Sequence, residues 1–78
     1  MFKETKEALE IIKQIKDIDF KILNVELDTE FNYDIINLKI NEPVFKKRLA
    51  LKHKIMDIVR SNFKHPYYKP RFFIAGAI

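Results

Sequence analysis

Residues 20–41 have the sequence FKILNVELDTEFNYDIINLKIN, in which two runs of alternating apolar and polar residues flank a short polar segment. Alternation with a period of two is typical of a half-buried strand, so the runs predict strands over residues 20–28 and 34–41. The segment between them supplies Asp and Asn, which favour a turn even without glycine. This stretch therefore predicts a β-hairpin.

The alternation also predicts which side chains of the hairpin face the core. In the second strand, the inward phase holds Ile36, Leu38 and Ile40. In the first strand, it holds Leu23, Val25 and Leu27. Phe20 and Ile22 are out of phase, which predicts either a bulge or a strand start that is covered on both faces. For the opposite side of the sheet we expect Ile22, Ile35 and one of Phe72 or Phe73.

The segments around the hairpin complete an α+β domain. Apolar residues at helical spacing predict helices over residues 3–17 and 43–63, with Asn41 as a capping residue and Pro43 in the first helical position. The run RFFIAGA at residues 71–77 is apolar on both faces, which predicts a central strand or a covered edge strand. We expect a single domain over residues 1–78, ordered helix-strand-strand-helix-strand, whose three-stranded sheet carries both helices on one face.

Two basic residues interrupt the apolar stripe of the second predicted helix. The stripe contains Phe45, Leu49, Ile55, Met56, Val59 and Phe63. On a helical wheel Arg48 and Lys52 fall inside it. Either their charged ends extend to solvent beyond the sheet, or the helix is kinked at this point.

Charge is divided unevenly along the chain, whose formal net charge is +4. Residues 1–43 carry six Lys against ten acidic residues, whereas residues 44–78 carry nine Lys or Arg against one acid, Asp57. Basic residues gathered in one part of a small domain are typical of a protein that binds polyanions.

The second helix and the loop after it combine these basic residues with aromatic rings. Lys and Arg neutralise phosphates, and Tyr rings stack on unpaired bases, so this segment predicts RNA binding. The predicted nucleic-acid-binding residues are Lys46, Lys47, His53, Lys54, Arg60, Lys64, Tyr67, Tyr68, Lys69 and Arg71. The alternative is a solvated surface whose charge only offsets the acidic first half of the chain.

Composition excludes several other kinds of site. The chain has no Cys, which rules out thiolate metal sites and disulfides, and its one Gly, Gly76, rules out glycine-rich phosphate loops. His53 and His65 match no metal spacing. We therefore expect no enzyme activity, cofactor, metal or small-molecule substrate. With neither a membrane-spanning apolar run nor a signal-like segment, we expect a cytoplasmic protein that has no membrane partner.

The apolar run Phe72–Ile78 predicts a second kind of contact. It contains no charged residue, and one domain covers only one face of such a strand. We expect a homodimer or a protein partner at this strand or at the open face of the sheet. The alternative function is therefore a protein-interaction module, of the kind that phage or mobile elements use as inhibitors.

Two stretches resemble the ribosome-binding factor A family. ILNVELDTEFNYDIINLKI at residues 22–40 is similar to that family's first hairpin, and IMDIVRSNF with KPRFFI is similar to its Arg-Ser helix and following apolar strand. The resemblance implies a KH-like fold without the GxxG clamp. It also implies association with the small ribosomal subunit, with Lys54, Arg60 and Lys64 at ribosomal RNA. The family's Ala-x-Gly kink has no counterpart in this chain.

Overall fold

The predicted α+β order is confirmed. The structure, a computed structural model, describes residues 2–63 and 72–76. The helices and strands are α1 (Lys3–Lys13), β1 (Phe20–Asp28), β2 (Tyr33–Ile40), α2 (Phe45–Asn62) and β3 (Phe72–Ala75). Both hairpin strands lie within one residue of their predicted bounds, because the alternation continues to their ends.

The three strands form one mixed sheet in the order β1-β2-β3. β1 and β2 pair antiparallel as the hairpin, and β2 and β3 pair parallel. Parallel neighbours need a crossover connection, and α2 provides it between β2 and β3. β2 is therefore the central strand, and β3 lies at an edge.

One hydrophobic core fills the space between the helices and one face of the sheet. Its buried members are Ala8, Ile12, Ile18, Ile36, Leu38, Ile40, Ile55, Val59 and Ile74. Apart from Ile18, which lies between α1 and β1, these residues come from both helices and from alternate positions of β2 and β3. Both helices therefore cover the same face of the sheet, as predicted. Full burial of each Ile, Leu or Val contributes about 1.5–3 kcal/mol. The other side, called the open face below, carries Tyr33, Ile35, Asn37 and Lys39 of β2, together with their neighbours on β1 and β3.

A bulge in β1 decides which of its residues face the core. The register shifts between Ile22 and Asn24, which leaves Leu23 without a cross-strand partner. Phe20, Ile22 and Val25 pack against the core, whereas Leu23 is 55% exposed. Of the two alternatives the bulge is thus correct, and the inward position of Leu23 was wrong, because the extra residue shifts the alternation by one. The expected position of Ile22 on the open face was wrong for the same reason. The predicted core position of Leu27 was also wrong, since its side chain is 56% exposed.

The first helix is shorter than predicted. It ends at Lys13, four residues before the expected boundary. The amides of Gln14 and Ile15 donate to the carbonyl oxygens of Ile11 and Ile12, each at 3.1 Å, and this three-residue spacing tightens the last turn. The chain then turns so that Ile18 is buried in the core.

The predicted cap of the second helix was also wrong. α2 begins at Phe45, and its N-cap is Val44, which offers no side-chain cap. Asn41 instead donates from Nδ2 to Asp19 Oδ2 at 2.7 Å, and its amide donates to the Asp19 carbonyl oxygen. Asn41 therefore ties the end of the hairpin to the segment before β1, and it lies three residues before the N-cap position.

Arg48 has a structural role at the start of α2. Its Nη1 donates to the carbonyl oxygens of Glu42 at 2.8 Å and Pro43 at 3.1 Å, and its guanidinium lies 5.7 Å from the centre of the Phe45 ring. Phe45 is 54% exposed, so its predicted place in the buried stripe was wrong. Leu51 packs against the core instead, whereas Ile55 and Val59 are buried as predicted. Arg48 thus extends away from the core without interrupting the helix.

Candidate nucleic-acid interface

α2 turns a row of basic side chains away from the sheet. The predicted site residues within this helix are all exposed: Lys46, Lys47, His53, Lys54 and Arg60. They are called the basic face below. Ile55 and Val59, which anchor the helix, point to the opposite side. Lys46, His53 and Arg60 follow one another at seven-residue intervals, so the basic face extends about 21 Å along the helix.

Two acidic side chains partly offset this charge. Lys54 Nζ lies 3.4 Å from Asp17 Oδ2, and Arg60 Nη1 lies 3.9 Å from Asp57 Oδ1. All four side chains are largely exposed, and such exposed pairs contribute about 0–1 kcal/mol. Within the described residues, Lys46, Lys47 and His53 take part in no ion pair. The lysine and arginine side chains of the basic face are therefore weakly held or unpaired within the described residues.

The start of α2 concentrates positive potential. The first turn contains no acidic residue, and Lys46 and Lys47 lie where the amide groups of the helix already form the positive end of its dipole. Cations at this end cost helix stability, whereas a bound anion offsets that cost. One such anion is the Glu42 carboxylate, whose Oε1 accepts the Val44 amide at 3.1 Å.

The other predicted binding residues lie outside the described residues. They are Lys64, Tyr67, Tyr68, Lys69 and Arg71. They follow α2 and precede β3 in the chain, and the aromatic part of the predicted interface stays a prediction.

An aromatic cluster lies on the open face, and the sequence pattern indicated only one member of it, as either Phe72 or Phe73. The rings of Phe31 and Tyr33 stack with centroids 6.2 Å apart, and Tyr33 lies 6.4 Å from Phe73. Phe72 points to the other side, where it meets Phe63 edge-on at 5.6 Å. Tyr33 lies two residues before Ile35, so the alternation along β2 indicates that both side chains lie on the same face. Which of the two Phe residues faces outward depends on the pairing of β3 with β2, and that pairing joins distant parts of the chain.

The described residues show neither a metal cluster nor a membrane helix. No group of three His, Asp or Glu side chains gathers in residues 2–63 and 72–76. In the same part of the chain, neither helix has the length and apolarity needed to cross a bilayer.

Comparison with known proteins yields no relative. No protein-family model matches the chain, and no curated protein or solved structure matches it. The resemblance to ribosome-binding factor A, with its KH-like fold, therefore stays a prediction.

Proposed function

We propose that this protein is a non-enzymatic RNA-binding protein that uses the basic face of α2 and associates with ribosomal RNA. The observation that carries the proposal is the exposure of five basic or imidazole side chains along one side of a single helix, with Asp57 as the only acid in that helix. A rigid helix holds these charges at fixed intervals, which suits a regularly charged polymer better than a single small anion.

The contacts expected from this face are to phosphates. Lys side chains and exposed Arg provide charge without reading base edges, so the basic face supplies affinity and position but little sequence preference. Tyr67 and Tyr68, which follow α2 in the chain, add stacking on unpaired bases in this proposal. The preferred target is therefore RNA with single-stranded or irregular segments, and ribosomal RNA contains many of these.

Equilibrium binding at several salt concentrations tests the proposal. Fluorescence anisotropy with a labelled single-stranded RNA and a ribosomal RNA hairpin should give an affinity that falls steeply with salt for both. Heparin should compete with both RNAs, because the contacts are to charge. Absence of binding at about 50 mM salt, where electrostatic contacts are strongest, would exclude the proposal.

A second candidate function is a protein-interaction module that binds through the C-terminal strand. One observation favours it: β3 is an edge strand, and the side chain of Phe73 is 54% exposed. An extended segment of a partner protein adds to such an edge by main-chain hydrogen bonds. Two results together would favour this function over the first. The parent protein would bind no RNA, and its β3 amides would become protected from hydrogen exchange when its partner is added.

A further inference from the structure

The open face of the sheet exposes apolar side chains that the domain itself does not cover. Leu23, Phe31 and Phe73 are 55%, 67% and 54% exposed, and they make up half of the large exposed apolar side chains in the described residues. Leu23 and Phe73 line one shallow groove with Asn24 and Asn37. A contiguous apolar surface rimmed by polar groups marks an interaction site.

Charge on the open face changes sign from one end to the other. At one end Lys21 lies directly opposite Lys39, and at the other end Asp28 lies opposite Tyr33, with Glu26 between the ends. Two lysines directly opposite each other are destabilising, and neither is part of an ion pair within the described residues. Acidic groups on a partner would offset this repulsion. Glu26 and Asp28 make the same face unsuitable for a polyanion.

The register of the sheet arranges the open face in matching rows. Glu26, Ile35 and Phe73 are aligned across the three strands, and so are Asn24, Asn37 and Ala75. Between the two rows lies the row Val25, Ile36 and Ile74, which points into the core. That middle row is the natural position for a two-fold axis that runs across the strands.

We propose that the occupant of the open face is a second copy of this chain, packed face to face about that axis. A half-turn about this axis reverses the strand direction. The row of Glu26, Ile35 and Phe73 in one copy then lies over the row of Asn24, Asn37 and Ala75 in the other. Phe73 then lies over Ala75 of the second copy, a large side chain over a small one. Glu26 meets the Asn24 amide, and Asp28 meets Lys21.

The same operation gives Lys39 a partner. The Lys39 ammonium group lies over the ring of Tyr33 in the second copy, in the arrangement of a cation–π contact. The other in-plane axis, parallel to the strands, would place the lysine end of one copy on the lysine end of the other. Like-charge contacts of this kind are repulsive, so charge selects the antiparallel arrangement. Lys21, Lys39, Glu26 and Asp28 thus each meet a complementary group, as a self-complementary two-fold interface requires.

The size of the face predicts a weak dimer. Six residues along a strand and three strands across give a patch of about 20 Å by about 14 Å. This is about 280 Å² on each copy, below the roughly 800 Å² that each partner buries in a standard interface, so the association is weak and concentration-dependent. The proposal does not depend on RNA binding, since the basic face lies on the opposite side of the sheet.

Sedimentation equilibrium of the parent chain, from about 10 μM to about 1 mM, tests the proposal. The weight-average mass should rise with concentration from that of one chain towards that of two. Phe73→Ala should weaken the dimer at least about tenfold, because the symmetric interface loses two rings at once. Phe73 is largely exposed, and circular dichroism of the variant checks that the domain stays folded.

A size exchange provides the matched control. Ala75→Phe alone should also weaken association, because it sets two large side chains against each other. The double variant Phe73→Ala with Ala75→Phe exchanges large for small on both copies and should recover most of the parent affinity. If the dimer formed through the β3 edge or the helices, its affinity would not follow this pattern of loss and recovery. A parent that stays monomeric at 1 mM would overturn the proposal, and so would an exchange that restores nothing.

Discussion

Removing three charges from the basic face tests the RNA-binding proposal directly. The change is Lys47→Ala with Lys54→Ala and Arg60→Ala, at three exposed positions of α2. Alanine has the highest helix propensity, and the side chains removed make at most weak surface ion pairs, so the fold should persist. Any loss of affinity then reports on contacts with the RNA.

The expected loss follows from counterion release. Each phosphate contact on a single strand contributes about 0.7 to the slope of log K against log salt, so losing three contacts should reduce the slope by about 2. The same relation predicts an affinity loss of about 500-fold at 0.05 M salt, about 50-fold at 0.15 M and about 4-fold at 0.5 M. Parent and variant should therefore converge as salt rises.

Fluorescence anisotropy with one labelled single-stranded RNA at these three salt concentrations measures both quantities. The matched control is Lys3→Ala with Lys6→Ala and Lys13→Ala, three exposed positions of α1. Both triple variants lower the formal net charge from +4 to +1. If affinity depended only on net charge, the two variants would lose it equally.

Two results would refute the reasoning. Parent-like binding by the α2 variant would show that the basic face is only a solvated surface. An equal loss in the α1 variant would show that the charge acts at long range and that no defined face exists. A loss that stays constant from 0.05 M to 0.5 M would point to damaged structure in place of lost phosphate contacts.

Three further predictions concern stability and are measured by urea unfolding. Ile55→Ala removes a fully buried side chain and should cost about 2–5 kcal/mol; a cost below 1 kcal/mol would place Ile55 outside the core. Asp34→Asn keeps the shape of a side chain that is 2% exposed but removes the charge that accepts the Phe2 amide at 2.8 Å, beside the start of α1. It should cost about 1–2 kcal/mol, and parent-like stability would show that the charge contributes nothing. Asn32→Ala puts alanine at a φ of 57° and should cost about 1 kcal/mol, whereas Asn32→Gly should be nearly neutral; equal costs would contradict the conformational argument.

Local pattern was enough to predict the hairpin. Alternation located β1 and β2, and the Asp28 carboxylate organises the turn as expected for Asp, accepting the amides of Glu30 at 2.9 Å and Phe31 at 3.1 Å. The pattern did not distinguish a bulge after Ile22 from a strand start covered on both faces, because both give the same change of phase. This choice decides whether Leu23 or Ile22 packs against the core.

Errors at the helix ends have a different cause. Asn41 is a good capping residue by type, but its side chain bonds to Asp19, which is 22 residues away in the chain. Asp34 was assigned only to a strand, although its carboxylate accepts a hydrogen bond at the start of α1. Both contacts join segments that are brought together only by the folded sheet. A pattern read along the chain therefore predicts the elements better than it predicts their ends.

The candidate surfaces show the same limit. Exposure of the basic face followed from helical spacing within one element. The open face instead depends on which side of β3 points outward, and this is fixed by the parallel pairing of Phe73 with Ile35. The sequence predicted that one of Phe72 or Phe73 would be exposed there, but only the register identifies Phe73.

The fold separates the two proposed surfaces. Both helices cover one side of the sheet, so the basic face of α2 points away from the open face. A dimer through the open faces would leave both basic faces outward, separated by two helix layers and a sheet spacing, or about 30 Å. A short RNA reaches only one of them, whereas a long RNA that passes around the assembly engages both at a raised effective concentration. A weak dimer would thus favour large, structured RNA over short fragments without any contact that reads sequence.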